Sequence, residues 1–119
     1  MNMIRVKISP EITVAEATHA NLVMHTETQP NEITRIVSEK QLVIRRMDAV
    51  LDPNWKPEMV AGGFCAHCVN QHTQVWTYIV NKSYPEIRIR LHSDGRWRDK
   101  HGSRYSLSTA PRKFRDYNF

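Results

Sequence analysis

The chain has 119 residues and a formal net charge of +5, with 40% hydrophobic and 24% charged residues. A chain of this size and make-up is one domain that folds without needing a disulfide or a metal, and it is not a disordered tract. The opening MNMIRVKISPE lacks the apolar core of a signal peptide, and no apolar run is long enough for a membrane helix, so the expected location is the cytoplasm, away from membranes.

MIRVKIS alternates apolar and basic residues and predicts a first strand. Ser9, Pro10 and Glu11 have the chemistry of a helix start: a side-chain acceptor, a fixed φ and a negative charge. Ile12, Ala15, His19, Leu22 and Val23 then share one helical face. A second helix is predicted from Asn31, because Ile33, Ile36, Val37, Val43, Ile44, Met47, Val50 and Leu51 fit one stripe that Asp52-Pro53 would end. The competing reading of this stretch is a hairpin, ITRIV and QLVIR around Ser38-Glu39-Lys40.

Residues 53–74 form a Pro- and Gly-containing linker that carries the cysteines. Beyond it the pattern becomes β. QVWTYIV and EIRIRLH alternate strictly, with Ile87, Ile89 and Leu91 on one face and Arg88, Arg90 and His92 on the other. Asp94-Gly95 and His101-Gly102 are turn signals. Residues 75–110 therefore read as an antiparallel meander, and 111–119 as a basic aromatic tail, partly disordered when free. The expected architecture is α+β: an N-terminal strand and two helices in residues 1–52, packed on the apolar face of the meander.

The cysteines, both within GGFCAHCVNQH, have C-x-x-C spacing. Cys65, Cys68 and His72 are three candidate ligands for a structural Zn2+, with His67, His92 or His101 as a fourth. Two alternatives stand beside this: a redox pair, disfavoured because no buried strand precedes it, and two small residues buried in a loop.

The charge is concentrated. Residues 82–119 hold ten Lys/Arg against four Asp/Glu, a balance of +6, whereas residues 1–81 hold seven against eight. Eight of the ten aromatics also follow residue 75. Arg88, Arg90, Arg96, Arg98, Lys100 and Arg104, with Trp97 as an exposed stacking ring, form a candidate surface for single-stranded nucleic acid or a nucleoprotein complex. The expected function is a small, non-enzymatic regulatory or binding protein. One alternative is an inhibitor of the kind carried by phages and other mobile elements. It would act by protein–protein contact on a host nucleoprotein machine such as a CRISPR effector, or on another acidic protein surface. The second is a metal-independent ribonuclease using His92 and His101 as acid and base, with Arg96 and Tyr105 in support.

Overall fold

The computed structural model describes residues 12–62 and 65–118. In chain order its strands are β1 (His19–Val23), β2 (Glu27–Gln29), β3 (Asn31–Ser38), β4 (Gln41–Leu51), β5 (Met59–Gly62) and β6 (Cys65–Cys68). After a 3-10 turn at Gln71–Thr73 come β7 (Trp76–Val80), β8 (Glu86–Leu91), β9 (Trp97–Arg98), β10 (Arg104–Ser108) and β11 (Phe114–Arg115). Six of them run in the order β10-β9-β8-β4-β3-β1, and β1 pairs back onto β10 to close an antiparallel barrel.

This corrects the α+β expectation. Among the described residues there is no α-helix. The expected first helix is a turn at residues 14–16 followed by β1. The expected second helix is the β3–β4 hairpin, turning at Glu39-Lys40. Its helical spacing comes from two irregularities in β3, at Ile33/Arg35 and Ile36/Ser38. An extra residue at a bulge breaks the two-residue alternation, and Ile33, Ile36 and Val37 then mimic positions i, i+3 and i+4. The β-branched content of the segment favoured the strand all along. The strand expected in MIRVKIS and the helix start at Ser9-Pro10-Glu11 lie outside the described residues.

The barrel interior follows from register. Ala20 lies opposite Leu107, Leu22 opposite Tyr105, Leu42 opposite Ile89, Ile33 opposite Ile44, and Trp97 opposite both Leu91 and Tyr105. Directly opposed residues point to the same face of a sheet, so all of these point inward. Ala20, Leu42, Ile44, Ile89, Trp97 and Tyr105 are buried together, with Leu22, Ile33, Leu91 and Leu107 packed against them. A narrow barrel is filled by its own side chains. Burial of Leu42, Ile44 and Ile89 contributes about 1.5–3 kcal/mol each. Of the apolar face expected on β8, Ile89 and Leu91 thus pack against strands β1, β4 and β10, not against helices, whereas Ile87 is 38% exposed.

Strand β4 is longer than its barrel neighbours. Its residues Gln41–Arg45 pair with β8 and its residues Met47–Leu51 pair with β7, so it belongs to both the barrel and a two-stranded ribbon. The step from β7 to β8 is fastened by Asp48, which accepts from Asn81 Nδ2 at 2.9 Å and Tyr84 OH at 2.8 Å.

The C-terminal residues lie along the barrel as a strap. β11 pairs with β2, and Lys113 Nζ donates to Glu27 Oε2 at 2.8 Å and Gln29 Oε1 at 3.1 Å. Gln74 both donates to Arg115 O and accepts from Arg115 N. Asn118 takes both main-chain groups of Cys68, accepting from its N at 2.6 Å and donating to its O at 2.8 Å.

Candidate nucleic-acid interface

The outer face of the barrel across β8, β9 and β10 carries the basic residues. Two glycines with left-handed φ, Gly95 (+81°) and Gly102 (+86°), let the chain reverse between these strands. Each loop is tightened by an aspartate: Asp94 accepts from Arg96 N at 3.0 Å, and Asp99 accepts from His101 N at 2.9 Å and Ser103 N at 3.1 Å. A type I turn closed by a glycine in this conformation suits three-residue hairpin loops. Short, fixed loops hold the register that matters here.

That register places Arg90 directly opposite Arg98, and Arg98 directly opposite Arg104. Three guanidinium groups therefore form a row over three adjacent strands, about 4.7–4.9 Å apart at the backbone. The same row contains Gln41 on one flank and Val23 on the other. Arg88 lies one step along on the same face and donates to Gln41 Oε1 at 2.7 Å. Arg35 joins this second row through Val43, which pairs with both Arg35 and Arg88. Sequence reasoning misses Arg35, because a helical reading of its segment sends it elsewhere.

Asp94 is the carboxylate that answers this charge. It accepts from Arg98 Nη2 at 2.8 Å and stands 3.9 Å from Arg96 Nε. The hydrogen bond from Arg98 first, and the amide of Arg96 second, hold its carboxyl below the usual range. Arg98 is further fixed by Gly102 O at 3.2 Å. Among the described residues, neither Arg90 nor Arg104 has a carboxylate partner. Arg88, Arg90, Arg98, Lys100, His92 and His101 line one open depression of about 580 Å³ beside β8, together with the carboxylates of Glu86 and Asp99.

Trp97 is not the exposed stacking ring expected from the sequence: it is 7% exposed and lies inside the barrel. The alternation Arg96-Trp97-Arg98 is the signal that sends it inward, since a strand that turns its arginines out must turn the residue between them in. Tyr105 is interior too. Its OH donates to Asp99 Oδ2 at 2.8 Å, and burial first, then this bond to the carboxylate, pushes its pKa far up. The four residues of the ribonuclease reading are divided. His92 and His101 line the outer depression, whereas Arg96 and Tyr105 line a second hollow of about 590 Å³, together with Arg104.

The cysteine segment is extended. Cys65 to Cys68 form β6, paired with β5, and His72 is exposed in the 3-10 turn beyond. Cys68 is buried and free of any disulfide, its Sγ lying 3.4 Å from Asn70 Oδ1. Among the described residues no three His, Cys, Asp or Glu side chains gather in a way that would hold a metal.

No family model, curated protein or solved structure matches the chain. No helix among the described residues is long and apolar enough to cross a membrane.

Proposed function

We propose that this protein is a non-enzymatic binding protein whose basic barrel face engages nucleic acid, free or within a nucleoprotein complex. One observation carries the reading: Arg90 and Arg104 each stand directly opposite Arg98, and among the described residues the one ion pair made by these three is Arg98 with Asp94. Like charges opposed across strands destabilise a sheet. A fold retains such a row where an anion supplies the missing charge, and a phosphate backbone supplies it repeatedly. Arg88, Arg96 and Lys100 extend the surface, and the two short loops hold it rigid. The free thiol of Cys68 fits a reducing compartment, so we place the protein in the cytoplasm.

The test is binding of labelled oligonucleotides by fluorescence anisotropy at low salt. Arg88→Glu together with Arg90→Glu is expected to abolish binding while the circular dichroism spectrum is unchanged. Unaltered binding by that folded variant refutes the arginine-face reading. A protein that ignores oligonucleotides yet captures an intact nucleoprotein complex would instead be the protein-directed inhibitor. RNA cleavage lost on His92→Ala or His101→Ala would make it a nuclease.

A further inference from the structure

We infer that the basic face takes the phosphate backbone of a double-stranded nucleic acid, without reading bases and without stacking on them. The inference rests on the nucleic-acid reading above and narrows its ligand. Proteins that hold single strands combine a basic groove with aromatic rings on which successive bases stack. Among the described residues, seven of the eight aromatic rings are engaged elsewhere, and the eighth, Phe114, lies in β11, which pairs with β2 and not with β8, β9 or β10. Trp97 and Tyr105 fill the barrel interior. Trp76 lies beneath two cations of the strap, Lys113 Nζ at 5.8 Å and Arg115 Cζ at 5.7 Å. Trp55 packs on Tyr117 with ring centroids 5.4 Å apart. Tyr84 is covered by Arg46 and tied to Asp48, and the OH of Tyr78 is taken by Lys113 N.

What remains on the face is a lattice of guanidinium groups. The row Arg90, Arg98, Arg104 spans about 10 Å, from two strand spacings. Arg88 lies two residues from Arg90, roughly 6.7 Å along the same strand. Phosphates on one strand of a duplex advance about 3.4 Å each along the axis, so a row of this length faces about three of them. The lattice is fixed by hydrogen-bonded strands and by the Asp94–Arg98 bond. A rigid array suits a ligand whose phosphates are equally rigid. It is a poor match for a flexible single strand that gains nothing from stacking.

The experiment compares four ligands by anisotropy at 50 mM salt: an A·T-rich and a G·C-rich 20-bp DNA duplex, a 20-bp RNA duplex, and a 20-nucleotide oligo(dT). The two DNA duplexes are expected to bind within about twofold of each other, and oligo(dT) at least about tenfold more weakly. A duplex bound through about four phosphates should lose on the order of 10²-fold in affinity between 50 and 200 mM salt. Arg90→Gln and Arg104→Gln should each reduce the logarithmic salt slope by about 0.9. Both side chains are exposed, and either variant alone suffices if the other fails a near-UV dichroism check of folding. Preference for the RNA or the DNA duplex over oligo(dT) supports the inference and assigns the source of the phosphates. Oligo(dT) binding as tightly as the duplexes overturns it while leaving the nucleic-acid reading intact. A preference of tenfold or more between the two DNA duplexes overturns it in favour of base reading. Failure of all four ligands to bind overturns both.

Discussion

Replacing Arg90 and Arg104 by glutamine should make the fold more stable. The two are the flanking members of a row in which each lies opposite Arg98. With guanidinium centres about 7 Å apart in water, one like-charge contact costs roughly 0.6 kcal/mol before screening. At 10 mM salt, where the Debye length is about 30 Å, most of this survives, so removing both contacts should return about 1 kcal/mol. For a domain of this size that raises Tm by roughly 3–6 °C. At 1 M salt the Debye length falls to about 3 Å and the gain should nearly vanish. Thermal melts of the wild type and the double variant in both salts provide the test. A lowered Tm at 10 mM salt would refute the reasoning, because the arginines would then be contributing packing or hydrogen bonds. A gain of equal size at 1 M would refute it as well, since the cause would not be charge.

Three other perturbations test the architecture. Asn118→Ala strands the main-chain N–H and C=O of buried Cys68; it should cost about 1–3 kcal/mol in urea unfolding and speed the reaction of the Cys68 thiol with a disulfide reagent. Tyr105→Phe removes the hydrogen bond to Asp99 and should cost about 1 kcal/mol at neutral pH. Burial works to raise the Asp99 carboxyl, but the bonds from Tyr105, His101 N and Ser103 N outweigh it and hold it below the usual range. A depressed folded pKa contributes stability above the unfolded value that is lost as pH falls through the folded one, so the gap between wild type and Tyr105→Phe should narrow towards pH 3. For the zinc expectation at Cys65, Cys68 and His72, native mass spectrometry with and without chelator should give the metal-free mass, because Cys68 Sγ lies against Asn70 and His72 faces solvent. One zinc per chain, lost with chelator, would reverse that.

The β8–β9–β10 meander was legible because its alternation is unbroken and its turns are marked by Asp94-Gly95 and His101-Gly102. The basic face was legible for the same reason: Arg88, Arg90 and Arg98 fall on one side by parity alone. The N-terminal half was not. Bulges in β3 shifted its apolar positions to helical spacing. In β4, Leu42, Val43 and Ile44 are all buried, so no alternation marks that strand. Strand closure between β1 and β10 depends on pairing across most of the chain, which no local pattern reports. Trp97 was misplaced by composition, since a tryptophan among arginines resembles a stacking platform unless its strand parity is followed. The strap escaped notice because side-chain amides fasten it, Gln71 and Gln74 to its backbone and its own Asn118 to the backbone of Cys68, and such contacts leave no periodicity.

Closure of the ring by β1 and β10 constrains how the protein is made. Strand β1 leaves the ribosome long before its partner β10, and in the meantime β2 and β3 pair with its other edge alone. The N-terminal hairpin β3–β4 must therefore wait, with Leu42 and Ile44 still lacking the interior supplied by Ile89, Trp97 and Tyr105. Non-local pairing of this kind is slow to form, and its exposed edges invite other strands meanwhile. Closure of this barrel therefore waits on β10, and until that strand is available the free edge of β1 stays open to other strands.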